Sequence, residues 1–258
     1  MDLDPATFFV QWAVGGMAGC WFTTRQREVG AGYGWLLRTI FGFFALAATW
    51  IGFVSDAEGS AAGVRNAASA VAALSILVAL AVSVRRRKLL TGPGSFDPRL
   101  DLVPAVVGLV ALVAAGVEAG GPDGLAIART MVGAAFLGFV SDAMLLGHWY
   151  LVQPGLPRRH VREIVVAFGR IWPLEVVVFL IPTGMVSVFS GAVDDGWGGQ
   201  LGWFWAACAV TTGILCWVTV KALEEKSYSA VMAATGLMYL AILTAFGTDL
   251  VARAVLAG

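Results

Sequence analysis

Eight stretches of about twenty mostly apolar residues follow one another along this chain, at about 6–24, 33–54, 63–84, 102–119, 126–152, 163–190, 201–221 and 228–256. Each has the length an α-helix needs to cross the hydrocarbon core of a bilayer. In that solvent every backbone N–H and C=O must be satisfied within the chain, so a helical bundle is the fold open to it. The sequence therefore predicts an all-α, polytopic integral membrane protein: one domain over residues 1–258, built as a bundle of eight transmembrane helices. The longest connection, 85–101, contains Gly92-Pro93-Gly94 and reads as a surface loop. No connection is long enough to fold separately, which excludes a fused ATPase, a soluble cofactor domain and a large receptor ectodomain.

The charge content agrees. Only 13% of residues are charged and 59% are hydrophobic, against about 25% charged in soluble domains. Lysine plus arginine and aspartate plus glutamate stand at 17 each, so the chain lacks the basic excess of a nucleic-acid binder. The expected partner surface is the lipid bilayer, with other membrane or redox subunits as candidate protein partners. Cys20, Cys208 and Cys216 lie in apolar runs with no CxxC spacing, so no disulfide, zinc site or iron–sulfur cluster is expected. The acidic start, Met1 to Pro5, lacks the positive region of a signal peptide, and none is expected.

The few charges are unevenly placed. The first, third, fifth and seventh connections carry Arg25 and Arg27; Arg85, Arg86, Arg87, Lys88 and Arg99; Arg158, Arg159 and Arg162; and Lys221 and Lys226. The alternate connections carry Asp56 and Glu58, Glu118 and Asp123, and Asp194 and Asp195, with Arg65 the one intruder. By the positive-inside rule the basic loops face the cytoplasm and both termini face away from it, in a cell inner (plasma) membrane. Tyr33, Trp35, Trp149, Tyr150, Trp217 and Tyr228 near the basic ends, and Trp50, Trp197, Trp203 and Trp205 near the others, read as interfacial anchors.

Two small-residue surfaces, Gly15-Gly16-Met17-Ala18-Gly19 in span 1 and Ala134 with Gly138 in span 5, suit close helix approach. The run Gly52-Phe53-Val54-Ser55-Asp56 recurs as Gly138-Phe139-Val140-Ser141-Asp142. It suggests an inverted repeat of spans 1–3 and 4–6, but spans 1 and 4 share no likeness, and coincidence is the better reading.

Charge at bilayer depth costs at least about 2.5–3.5 kcal/mol, so each instance needs a reason. Arg38, Arg65, Arg129, Asp249 and Arg253 lie toward span ends, where side chains can snorkel to the interface. Asp142 and Glu175 are deeper, roughly 15 and 18 Å from the basic ends of spans 5 and 6 at 1.5 Å per residue. The short link through Pro154-Gly155-Leu156-Pro157 makes these spans a hairpin. Asp142, Arg170 and Glu175 are then expected at similar depth, beside a helix interrupted by Pro173 and Pro182. His148, with Ser141 on its helical face, and Tyr150 lie nearby, and His160 reads as a solvated loop residue.

The candidate quinone or proton site is thus Asp142, His148, Tyr150, Arg170 and Glu175. The same charges also fit a structural Asp142–Arg170 pair. A quinone is the cofactor such a site suits. No metal is expected, nor a b-type haem, because only one histidine is near the bundle. No lysine sits at mid-membrane for a retinal Schiff base, and no P-loop, GxGxxG or HExxH catalytic motif is present. Three functions remain open: a quinone- or proton-linked membrane subunit of a redox complex, a proton-coupled small-solute transporter, and a non-catalytic scaffold or assembly protein.

Overall fold

The computed structural model describes residues 4–55, 59–89, 96–120, 123–182 and 184–257. Asp56, Glu58 and Gly92-Pro93-Gly94 lie outside them. The described residues are helical, with no strand. They form α1 (Pro5–Thr24), α2 (Ala31–Val54), α3 (Ser60–Leu89), a 3-10 turn (Pro98–Asp101) running into α4 (Leu102–Glu118), α5 (Asp123–Trp149), α6 (Arg159–Leu180), the short α7 (Gly184–Phe189), α8 (Gln200–Ala222) and α9 (Tyr228–Ala257).

The helix ends follow local chemistry. Asp4 caps α1, its carboxylate accepting from the backbone N–H of Ala6 (3.1 Å) and Thr7 (2.9 Å). At the other extreme, the expected span 163–190 is broken. Pro182 has no N–H to donate and disfavours helical backbone in the residue before it. Ile181 is accordingly extended (φ −95°, ψ 144°), and α6 stops at Leu180. Pro173, by contrast, stays inside the helix.

Six helices among the described residues are long and apolar enough to cross a membrane: α2, α3, α4 with its 3-10 turn, α5, α8 and α9. Two of the eight expected spans fall short. The residues of α6 include Arg159, Arg162, Glu163, Arg170 and Glu175. Those of α1 include Gln11 and three glycines, and it is among the most enclosed helices. It packs against α2, α4, α5 and α6 and forms with α5 the most extensive helix pair. Around that central pair, α2, α3 and α4 lie on one side and α6, α8 and α9 on the other.

The two small-residue surfaces found in the sequence meet each other at this pair. A methyl group on Gly15 would lie 1.7 Å from the Ala134 carbonyl oxygen, and one on Gly138 would lie 2.0 Å from the Gly15 backbone. Only glycine permits this approach. The two copies of the five-residue repeat have unlike neighbours: Gly52 packs on Asn66 and Gly138 on Gly15.

The outward surface is apolar. Phe43, Trp50, Leu74, Val106, Trp217 and Leu243 are all at least half exposed, the reverse of a soluble protein. With the six apolar helices, this marks a membrane protein in contact with lipid. Tyr33, Tyr150 and Trp205 depart from the expected interfacial belt: all three are buried.

Pairings at the ends of the helices show that they alternate in direction. At one end Arg25 binds Glu163 (2.8 Å), Arg159 and His160 bind Glu28, and Arg27 meets Asp97 (3.3 Å). His160 is therefore buried and engaged, not solvated, because it folds back on the α1–α2 link. Its hydrogen bond, with Arg159 beside it, holds the Glu28 carboxyl below the usual range. At the opposite end Arg65 binds both Asp4 and Glu118. That explains the one cation among acidic loops: it clamps the starts of α1 and α3 to the end of α4.

Candidate functional site: two buried polar clusters

The first cluster lies at the basic half of the α1–α5 pair. Arg38 is fully buried on α2. Its Nε donates to Asp101 Oδ1 (2.6 Å), and its terminal nitrogens donate to the carbonyls of Ala79 (2.9 Å) and Asp97 (3.0 Å). The guanidinium also lies 4.1 Å over the Phe96 ring, so its charge and donors are met inside the protein. Cys20 Sγ sits 3.6 Å from Asp101 Oδ2. Beside it, Asp142 is fully buried, and neither carboxylate oxygen has a hydrogen-bond partner among the described residues. Tyr33 donates to the Asp142 backbone carbonyl (3.3 Å), not to its carboxylate. Gly19 makes room for that carboxylate: a methyl group there would lie 2.3 Å from Oδ2.

The second cluster lies toward the other end, where α1, α5, α6 and α9 meet. Arg253 Nε donates to both oxygens of Asp249 (2.9 Å each), one turn earlier on α9, and a terminal nitrogen donates to the Arg129 carbonyl (3.0 Å). Gln11 Nε2 donates to the Thr130 carbonyl (2.9 Å), while its Oε1 is buried without a donor. Gly133 is the hub. A methyl group there would lie 2.6–2.8 Å from Arg253, Asp249 and Gln11 at once. Glu175 faces Asp249 and Arg253. It is fully buried; no donor reaches either oxygen among the described residues, and its carboxyl lies within hydrogen-bond reach of the Asp249 carboxyl. The guanidinium groups of Arg129 and Arg253 lie 5.7 and 5.5 Å from the centre of the Phe179 ring. Arg129 donates to the carbonyls of Val178 (2.8 Å) and Ile181 (2.6 Å), which the break before α7 leaves without helical partners.

The five residues singled out from the sequence are not one site. Because α6 ends at Leu180, Glu175 lies only about 8 Å from the end of its helix, by helical rise. Asp142 lies about 10 Å from the opposite end of the bundle on the same measure. The two carboxylates therefore occupy opposite halves. Arg170 pairs with neither and is exposed on the outer side of α6. His148 is exposed, with Nδ1 3.4 Å from the Tyr239 hydroxyl. Ser141 accepts from Trp12 Nε1 (2.8 Å) and donates to the Leu137 carbonyl (2.7 Å), so its bonds are spent away from His148. Tyr150 donates to the Pro157 carbonyl (2.5 Å) and closes the α5–α6 link.

Sequence reasoning placed Arg38, Arg65, Asp249 and Arg253 at interfaces. All four are buried and paired instead. Only the Asp249–Arg253 spacing of four residues carries a signal for its pair. Among the described residues no group of three His, Cys, Asp or Glu side chains converges as a metal site requires. No protein-family model matches the chain, and comparison with curated proteins and with solved structures finds no match.

Proposed function

We propose that this is an integral membrane protein that handles protons, with Asp142 and Glu175 as the proton-carrying groups of two half-membrane sites. The helices α1–α6, α8 and α9 are the eight crossings, the basic end faces the cytoplasm of an inner (plasma) membrane, and both termini lie opposite. One observation carries the reading: each half holds a fully buried carboxylate, Asp142 with no hydrogen-bond donor to either oxygen among the described residues and Glu175 set against the Asp249 carboxyl. A buried charge without a partner is costly, and taking up a proton removes the cost. Intramembrane acids in such positions mark proton pathways. The scaffold reading is weaker, because the small-residue faces of α1 and α5 are spent on each other.

Two forms of this function are open. In the redox-linked form, a quinone entering from lipid would meet the exposed His148 and Tyr239 pair, with electrons supplied by a partner subunit. The proton-coupled transporter form is favoured by the break of the helix at Ile181–Pro182, beside Glu175. Interrupted helices next to ionisable groups are the usual sites of solute coupling.

Infrared difference spectroscopy of the reconstituted protein tests the core of the proposal. Acidification should raise carboxylic C=O bands, one lost in Asp142→Asn and one in Glu175→Gln. If no titrating band disappears in either variant, the proton-handling role is wrong. Proton movement into vesicles, driven by added quinol or by candidate solutes, then separates the two forms.

A further inference from the structure

A groove of about 510 Å³ opens on the outer side of the bundle at the basic end, between the end of α1 and the first half of α6. Phe22, Arg25, Arg162, Glu163 and Arg170 line it, with apolar walls from α6 between the charges. Arg25 is engaged: it binds Glu163 (2.8 Å) and stacks 3.8 Å over the Phe22 ring. Arg162 and Arg170 are exposed and make no ion pair or hydrogen bond among the described residues. Every other deep arginine in the bundle is enclosed by carboxylates or carbonyls, as Arg38 and Arg253 show. Arg170 stands about 16 Å along α6 from its start, by helical rise. With Arg159, Arg162 and Glu163 in the headgroup layer, that puts its guanidinium near the boundary with the acyl chains, where an unpartnered cation is costly.

We infer that this groove binds an anionic phospholipid of the leaflet at the basic end, its phosphate held by Arg162 and Arg170 and an acyl chain lying along Phe22 and the apolar face of α6. Charge and shape both favour that occupant. Three guanidinium groups face one carboxylate, leaving a net positive groove, and basic pockets between transmembrane helices are the usual seats of anionic headgroups. Planar guanidinium groups suit phosphate oxygens in two-point contact. The groove opens sideways to lipid, so a chain-bearing phosphate fits it better than a free one. The inference rests on the bilayer reading of the bundle and not on Asp142 or Glu175, so its failure leaves the proton-handling proposal standing.

The test uses the full chain purified in neutral detergent. Thermal unfolding is followed on titration with phosphatidylglycerol, phosphatidylcholine or inorganic phosphate. Phosphatidylglycerol should stabilise the protein and phosphatidylcholine should do so far less. In the Arg162→Gln/Arg170→Gln double variant the apparent affinity for phosphatidylglycerol should fall by at least about tenfold, the scale of two lost surface arginine–lipid contacts. Glu163→Gln, which removes the one opposing charge, should strengthen binding. Equal responses to the two lipids, or an unchanged preference in the double variant, would overturn the inference. Inorganic phosphate reproducing the effect would replace it with a free-anion site. If the double variant does not fold, Glu163→Gln and the native mass spectrum of the wild-type protein decide: no retained anionic phospholipid and no gain in Glu163→Gln would refute the site.

Discussion

Gly19 and Asp142 are matched across the α1–α5 interface: the carboxylate fills the space that any side chain at position 19 would need, with Oδ2 2.3 Å from where a β-carbon would stand. Gly19→Ala should therefore cost about 1–3 kcal/mol through overpacking. The cost should shrink when Asp142→Ala is also present. A double-mutant cycle on unfolding in detergent measures that coupling, and additive losses would show that the two residues do not share the space.

Gly138→Ala should be more severe, because the added methyl meets the backbone of Gly15 rather than a side chain that can turn away. About 3 kcal/mol is expected, the upper part of the overpacking range. Gly236→Ala on α9 is the control. Nothing lies within 4 Å of its β-carbon position, so its change should be neutral or stabilising by up to about 1 kcal/mol. Thermal unfolding of the two variants side by side checks the contrast.

The Arg38–Asp101 pair should behave as a buried ion pair whose partners cannot be removed singly. Asp101→Asn leaves a guanidinium with no counter-charge in a fully enclosed site, at an expected cost of about 3–5 kcal/mol. Arg38→Met should cost as much, since the carbonyls of Ala79 and Asp97 lose their donors too. The double variant Arg38→Met/Asp101→Leu should recover part of the loss, as measured by unfolding and by yield of folded protein.

Glu175→Gln keeps a group able to hydrogen-bond the Asp249 carboxylate, so it should leave thermal stability nearly unchanged. A large loss of stability would mean that the ionised carboxylate is an essential partner of Arg253.

The Glu28 contact gives a pH dependence on the basic side. Its carboxyl is held below the ordinary range by His160 and then by Arg159. A depressed carboxyl contributes stability that is present above its unfolded value, near pH 4.3 for glutamate, and lost as pH falls through the lower folded value. The wild type should therefore be more stable than Glu28→Gln at neutral pH, and the difference should fade on acidification below about pH 4. Thermal unfolding of both proteins across that range tests the sign.

The helical bundle was legible because apolar length and the alternation of basic and acidic connections are properties of local sequence. The contact of α1 with α5 was half legible: both small-residue faces could be seen, but not that each is the other's partner. What escaped were the pairings across distance. Arg38 and Asp101 lie 63 positions apart, and nothing in either segment says whether an arginine about two turns from a helix end reaches outward or inward. The expected meeting of Asp142, Arg170 and Glu175 failed for a local reason. The α5–α6 link runs from Trp149 to Arg159, so Asp142 stands seven residues and Glu175 sixteen residues from the basic end, in different halves of the bundle. Helical rotation then turns Arg170 outward.

The central place of α1 has a consequence for how the bundle is made. Its residues are less apolar than those of most of the helices around it, and its closest partner, α5, is synthesised about a hundred residues later. A nascent chain ending after α4 would carry Gly15 and Gly19 without their α5 partners and Gln11 with no Thr130 carbonyl to meet. The placing of α1 is then completed by a helix that has not yet left the ribosome.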